Sequence, residues 1–288
     1  MATELRAGIS FSADLAQTIL VEIQDHRIEL KFLEERRKAS QAEYWFLDDL
    51  LAFDKKTLRG IAAVSVALDN RVAFFHRFPL DSSLAQVDQN EQVQWELSHF
   101  IHEFKPHDYI SDVHILRTHA REQYVDALVV AVPSSFIFNM QGLLAQRDVL
   151  LQTVEVNHIA AEHALRRAHP ELKARHVVFV GVEQERVDTG VLARGRLTSY
   201  DYKNSTSIDE SLTFVKRMVD GTDQSDIVLH GSAVSSAWVR SFRAGFGSRL
   251  MVLNPFRQML VSPSCLNFKR FIGREHHFAA CVGSTLRR

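Results

Sequence analysis

Four side chains in the stretch Asp88–Phe104 have types and spacing that can hold a metal ion. Glu96, His99, His102 and Glu103 lie at i, i+3, i+6 and i+7, close enough to share one helical face. The same spacing is that of the solvent face of an amphipathic helix opposite Leu97, Phe100, Ile101 and Phe104, and matches this loose arise by chance, so the solvent face is the preferred reading. Ser134-Ser135 follows Pro133 without a Gly-x-Ser-x-Gly elbow and reads as a helix cap pair rather than a nucleophile. Cys281 sits in the apolar run AACVG and reads as a core residue, and His276-His277 reads as a helix start. Gly8, Gly181 and Gly231 each lie in or directly after an apolar, strand-like run. Glycine there lets a phosphate or nucleoside approach the backbone, or lets strands beside a cleft pack closely.

Composition narrows the function classes. The 288 residues carry 34 Lys+Arg against 35 Asp+Glu, a formal net charge of -1. No basic excess exists to neutralise a phosphate backbone, which argues against nucleic acid as a partner. The two cysteines, Cys265 and Cys281, form no Cys-x-x-Cys or Cys/His array, so neither a disulfide framework nor a zinc ribbon is expected. Apolar runs such as Ala127–Pro133 fall far short of the roughly 20 residues that span a bilayer. MATELRAGIS has no apolar signal core. The expectation is a cytoplasmic protein without direct membrane insertion, brought to any membrane by a partner.

The elements that must position these residues follow from the apolar pattern. His176–Asn204 reads as three antiparallel strands, Val177–Val182, Val187–Ala193 and Leu197–Tyr202, with a turn at Arg194-Gly195. Ala7–Phe11, Thr18–Ile23 and Arg27–Leu33 repeat the pattern about half a chain earlier. Two such meanders predict two related halves facing each other across a cleft. Between them the sequence predicts a helix over Gln41–Phe53 and strands over Gly60–Leu68 and Val72–Phe78. A helix over Asp88–Phe104 capped by Asp88 follows, then strands over Tyr109–Thr118 and Tyr124–Val132. A helix from Ser134 to about Gln146, a strand over Val149–Val156 and a helix over Asn157–Ala168 capped by Asn157 complete the first half. After the second meander come a helix over Ile208–Val219, a strand over Asp226–Leu229, a helix over Val234–Ala244, a strand over Leu250–Leu253 and a helix over about His277–Leu286. The chain divides near Pro170. Residues 1–175 form a first lobe with an inserted α/β subdomain at 86–148, and residues 176–288 a smaller second lobe.

In this order the elements resemble the actin-like ATPase superfamily, and within it the PilM family of type IV pilus assembly platforms. The carrying segments are QVQWELSHFIHEFKPHDY, with its Trp-Glu pair, and ALVVAVPSSFIFNMQGLLAQRDVLLQTVEVNHIAAEHAL, where Glu155 matches an acid before the last helix; MVLNPFRQM carries Asn-Pro-Phe after the penultimate strand. The resemblance implies an α/β, actin-like (ribonuclease H-like) two-lobed fold with an inserted α/β subdomain and a shortened second lobe. It also implies ATP and a magnesium ion between the lobes, and here the sequence departs from the pattern. Ser10 stands where the metal-binding acid belongs, Ser12 replaces a phosphate-loop glycine, and Gln17 takes the lysine position. Gly181 is kept, but Phe179 and Val180 occupy the place of an acidic or polar residue, and a divalent ion needs hard oxygen ligands. Gly231-Ser232 keeps only part of an adenosine-contacting strand end, and residues 205–225 replace the several helices that close over adenine. With these acids missing, close packing is the preferred reading of the three glycines. No cofactor is expected; Ser10, Ser12, Gly181, Gly231 and Ser232 are the contacts to be sought if nucleotide binding survives.

The resemblance further implies a non-enzymatic adaptor of a pilus or related secretion inner-membrane platform. Its partner would be a membrane protein with a short cytoplasmic N-terminal peptide, docked between the first lobe and the inserted subdomain along Gln86–Val156. Such a protein would be peripheral to the inner membrane through that partner. The alternatives are a working ATPase or sugar-kinase relative, for which Asp14, Glu183 and Asp188 are the nearest acids, or a cytoskeletal or cell-division actin homologue.

Overall fold

The computed structural model describes residues 3–25, 27–37, 60–61, 63–118, 123–219 and 225–287; the helix expected over Gln41–Phe53 lies outside them. Two large sheets carry the duplication. In the first, β1 (Thr3–Phe11), β2 (Leu15–Gln24) and β3 (Arg27–Arg37) form the antiparallel meander, and β4 (Ala63–Leu68) then lies parallel to β1. β8 (Leu150–Val156) lies parallel to β4 and ends the sheet. In the second, β9 (His176–Glu183), β10 (Arg186–Ala193) and β11 (Arg196–Asn204) form the meander, followed by parallel β12 (Asp226–His230) and β13 (Leu250–Val252). Strand for strand, the order β3-β2-β1-β4-β8 repeats as β11-β10-β9-β12-β13.

A third sheet of three strands, β5 (Phe74–Asp81), β7 (Tyr124–Pro133) and β6 (Tyr109–Thr118) in spatial order, is the inserted subdomain. β5, which precedes residue 86, belongs to this sheet. Helix α1 (Gln86–Phe100) covers one face, burying Val93 and Leu97 against Phe78 and Leu80. Helix α2 (Ser134–Ala145) packs Met140 and Leu144 into the main core.

Three capping expectations are corrected. Helix α1 begins two residues before Asp88, which lies in its first turn beside the positive end of the helix dipole. Ser134 is the first residue of α2, and its hydroxyl donates to the His107 carbonyl, 2.9 Å away, instead of capping. Asn157 is the first residue of α3 (Asn157–Ala168), and its amide reaches across to the Phe11 carbonyl at 2.8 Å. For Ser134 and Asn157 a tertiary partner outcompetes the local backbone.

Beads of apolar residues at period two divide β9 between two cores. Val178, Val180 and Val182 face α4 (Ile208–Val219) and α5 (Ser236–Phe246), where Phe214, Val215, Trp238 and Phe242 are buried. Val177 and Phe179 face the other way, into the core shared with the first lobe, and Gly181 is in phase with them. Helix α3 lies in that shared core and is buried on almost every side.

The C-terminal segment does not stay with the second lobe. β14 (Leu260–Val261) adds in parallel to the outer edge of β3, and α6 (Ala279–Leu286) packs on β1, β4 and α3. Two physical needs draw it back. The β3 edge is otherwise unpaired, and α6 presents Ala279, Ala280, Cys281 and Val282, all of which are buried. Cys281 is a core thiol donating to the Gly8 carbonyl at 3.0 Å, and burial pushes its pKa up.

Helices α3 and α6 touch through their backbones at Gly283, where a Cβ would overlap the Ala160 carbonyl oxygen. Gly283→Ala should therefore force the helices apart and destabilise the protein by roughly 1–3 kcal/mol, read by urea denaturation. Gly142, on α2 with open space around it, supplies the control. Gly142→Ala should be neutral or stabilising by up to about 1 kcal/mol.

Candidate functional site

The five residues marked from sequence separate into different environments. Ser10 and Gln17 face each other across the β1–β2 pair, and the Ser10 hydroxyl donates to the Gln17 side-chain carbonyl at 2.9 Å. The Gln17 amide in turn donates to Glu35 at 3.3 Å, and Glu35 also holds Arg274 at 2.7 Å and His277 at 3.3 Å. Burial would raise the Glu35 pKa, but hydrogen bonds from His277 and Gln17 and the Arg274 charge bring it down to about 2. Ser12 closes the hairpin, its backbone N–H donating to the Leu15 carbonyl at 2.9 Å. Thus the first loop is knitted into its own sheet and the C-terminal segment.

Gly181, Gly231 and Ser232 do converge, at the C-terminal ends of β9 and β12. Gly231 has φ +115° and lies against β9 so closely that a Cβ would overlap the Val182 carbonyl oxygen. Ser232 donates to the Glu183 carboxylate. Glu183 is buried, and desolvation, with the negative charges of Asp69 and Asp188, pushes its pKa up to about 8 despite that hydrogen bond. The inward face of Gly181 is occupied: a Cβ there would stand 2.9 Å from both His158 Nδ1 and His230 Nε2. The two imidazoles lie 3.4 Å apart, and Phe179 stacks on His230 with ring centroids at 4.2 Å.

Beside the histidines lies a buried polar network that joins the lobes. Asp188, fully buried on β10, accepts from Arg186 Nε at 2.9 Å, from Asn70 Nδ2 at 2.7 Å and from the Tyr200 hydroxyl. Arg186 also donates to the Asn70 carbonyl at 3.2 Å and to the Tyr200 oxygen at 2.9 Å. The Asn70 side-chain oxygen receives the His158 backbone N–H at 3.2 Å. Asn70 is held in place by its neighbour Asp69, which accepts the Arg71 backbone N–H at 2.9 Å, while Arg71 reaches Glu185 at 3.1 Å. From the inserted subdomain, Phe75 stacks on Tyr200 at 4.9 Å, and the Arg186 guanidinium lies 3.8 Å from the Tyr202 ring centroid.

Sequence reasoning named Asp188 and Glu183 only as acids for a working ATPase and missed Arg186, Tyr200, Asn70, His158 and His230. The signal was present in part. Arg186 and Asp188 sit two apart in a strand and so share one face, with the apolar Val187 between them on the other.

ATP and a divalent ion, which an actin-like ATPase fold implies, do not fit these residues. The backbone at Gly181 is covered by imidazoles, Ser10 is committed to Gln17, Glu183 is engaged by Ser232 and Asp188 by the interlobe network, and Asp14 is exposed at the β1–β2 turn. An open cleft of about 720 Å³ beside Ser232, lined by Val234, Arg240, Asn254, Arg274 and His276, is where any residual adenosine contact would fall. The helix-face set of Glu96, His99, His102 and Glu103 is dispersed. Glu96 pairs with His76 at 3.4 Å, the His99 ring turns back on the Trp95 carbonyl at 2.8 Å, and His102 and Glu103 lie beyond the end of α1. Among the described residues, no group of three or more His, Cys, Asp or Glu side chains is placed to hold a metal ion.

A second opening lies on the other side of the first lobe. β6 is an outer strand of the three-stranded sheet and β8 an outer strand of the six-stranded sheet, and the two flank a slit of about 80 Å³. Its apolar lining is Ile110, Val130 and Val132 from the subdomain with Ile137 from α2, facing Val154 and Ile159. One end is polar, formed by Asp112, Glu155 and Arg287.

No family model matches this sequence, and no curated protein does. The duplicated sheets and their interlobe cleft define an actin-like fold of the ATPase class. A solved structure titled as the PilM-PilN type IV pilus biogenesis complex is similar at TM-score 0.76 with 16% identity, covering 98% of both chains. A Bacteroides thetaiotaomicron protein with an actin-like ATPase fold and unknown function is similar at TM-score 0.59 with 11% identity, covering 88% of this chain and 91% of that one. The fold expected from the sequence motifs is therefore the fold observed, and it is PilM-like over the whole length.

Two measurements test the interlobe site. Asp188→Asn leaves Arg186 buried with no matching charge and should cost roughly 3–5 kcal/mol in urea denaturation; a loss below about 1 kcal/mol would remove the pair from its central role. Stability should also peak near pH 6.5. Burial lowers His158 and His276 to about 4 and His230 well below its usual 6.5, so the unfolded chain binds extra protons between about pH 4 and 6.5 and stability rises with pH there. Glu183 acts in the opposite sense, holding its proton in the folded state up to about pH 8 and opposing the rise from about pH 4.5 upward. Above pH 6.5 its effect stands alone and stability should fall by about 2 kcal/mol by pH 8. Glu183→Gln should abolish that fall.

Proposed function

We propose that the protein is a non-enzymatic, actin-like adaptor of a type IV pilus or related secretion platform. It docks the cytoplasmic N-terminal peptide of a single-span membrane protein and is peripheral to the inner membrane through that partner. The observation that carries this reading is the apolar slit between two edge strands. An extended peptide laid there adds backbone hydrogen bonds to β6 or β8 while its apolar side chains enter the pockets between them. Ile110 is 41% exposed at the mouth, whereas Val132 and Ile159 line the interior and are buried. Among the described residues, no helix is long and apolar enough to cross a membrane, which fits recruitment through a partner.

The cleft between the lobes supports the non-enzymatic half of the proposal. Its inner face is filled by His158, His230 and the Asp188 network, whose hydrogen bonds are made within the chain itself. Hydrolysis requires a metal ligand and phosphate donors that are free to act, and in this reading neither ATP nor magnesium is a cofactor.

Calorimetry with the cytoplasmic N-terminal peptide of a candidate single-span membrane partner tests the docking. Ile110→Glu alters an exposed side chain at the mouth of the slit and should weaken binding at least tenfold without lowering the melting temperature. Equal affinity of the two proteins would place the peptide elsewhere. ATP with magnesium at millimolar concentration should leave the melting temperature unchanged, because a ligand that binds only the folded state must raise it. A rise of several degrees would overturn the non-enzymatic reading.

A further inference from the structure

The polar end of the slit has an unfilled valence. The Glu155 side chain is 3% exposed, and its Oε1 accepts from Arg287 Nη1 at 2.6 Å and lies 3.4 Å from His163 Nε2. Its Oε2 is buried and has no hydrogen-bond partner. A buried carboxylate oxygen without a donor is costly, because it has given up water and received nothing in return. Arg287 also reaches across to Asp112 on β6, with Nη2 3.5 Å from Oδ2, so two carboxylates on opposite walls share one guanidinium. His114, with Nε2 3.9 Å from Asp112, flanks the same end. The end of the slit is therefore short of both a donor and a positive charge, while the rest of its lining is apolar.

We propose that Glu155 is a specificity-determining residue that reads a cationic group on the docked peptide. This inference rests on the slit being the peptide site. The partner's chemistry follows: an extended segment of apolar anchors with one adjacent positive group bearing N–H donors. That group is either a Lys or Arg side chain or a free N-terminal ammonium. It takes the vacant Oε2 directly and shares the charge of Glu155 and Asp112 with Arg287. Charge-assisted hydrogen bonds of this kind are about twice as strong as neutral ones. A neutral donor would satisfy the oxygen but not the charge, and an acidic residue would be repelled.

The test uses the full-length protein and a set of seven-residue peptides with leucine at alternate positions and serine between. Each serine is replaced in turn by arginine, citrulline or glutamate, and each peptide is made with a free and with an acetylated N-terminus. Binding is read by fluorescence anisotropy. One arginine position should bind roughly tenfold more tightly than its citrulline counterpart, the scale of one charge-assisted hydrogen bond, and glutamate there should bind more weakly than serine. If the gain instead comes from the free terminus over the acetylated one, the ammonium is the recognised group. Glu155→Gln should remove the preference for arginine over citrulline. Equal binding of arginine and citrulline peptides, with no effect of acetylation, would overturn the assignment of Glu155 and leave the docking slit standing. Failure of every peptide to bind would overturn the slit as the docking site and this inference with it. The wild-type comparison decides the question even if Glu155→Gln does not fold.

Discussion

The buried Asp188–Arg186 pair is the interaction on which the relation of the two lobes depends. Neither charge is tolerable alone in that position, and to the partners each has within the second lobe the first lobe adds Asn70. A buried pair contributes little net stability compared with well-packed apolar residues, but breaking it is expensive. Its effect is therefore geometric: the second lobe must meet the first in the one arrangement that completes the network. The stacking of Phe75 on Tyr200 extends the same constraint to the inserted subdomain. Three units with separate sheets are thereby fixed in one arrangement, the polar network adding direction to the apolar core that the lobes share.

That arrangement has a consequence for the cleft. In an actin-like fold the interval between the lobes is the natural place for a ligand, and a glycine such as Gly181 leaves the backbone open to close approach. Here the approach is made by the chain itself. Imidazoles from α3 and β12 meet Gly181, the β9 carbonyl of Val182 meets Gly231, and the Cys281 carbonyl meets Gly8. Small residues thus serve close packing, and the interval is filled with side chains whose neutral forms burial favours. The cost appears as dependence on pH.

A smaller, largely apolar opening lies at the margin of the first lobe. Among the described residues the β8 edge and the β6 edge both lack a strand partner, a condition that folded proteins usually cover or blunt. The opposite edge of the same sheet is covered, since the C-terminal segment crosses back to place β14 beside β3. One edge closed by the chain's own return and the other left as an apolar slit is an asymmetry that the proposed docking function uses. The C-terminus serves both ends of it, because the helix that follows β14 carries Arg287 to the mouth of the slit.

What the sequence determined by itself was whatever is periodic or locally punctuated. The meanders were legible in the alternation of Val177–Val182 and Ala7–Phe11, and Ile208–Val219 was legible to the residue in its helical period. The fold class followed from the order of these elements and from short motifs such as Asn-Pro-Phe at 254–256. Tertiary structure alone decided the rest. Ser134 and Asn157 looked like caps because local hydrogen bonding favours caps, but distant carbonyls at His107 and Phe11 claimed their side chains. The return of residues 260–286 to the first sheet was hidden because an edge strand of two residues has no period to read. The interlobe network was hidden for the same kind of reason. Asn70, His158, Asp188 and Tyr200 are scattered across the chain and become neighbours only when the lobes meet, and a charge pattern shows that a buried strand needs a partner without showing which residue supplies it.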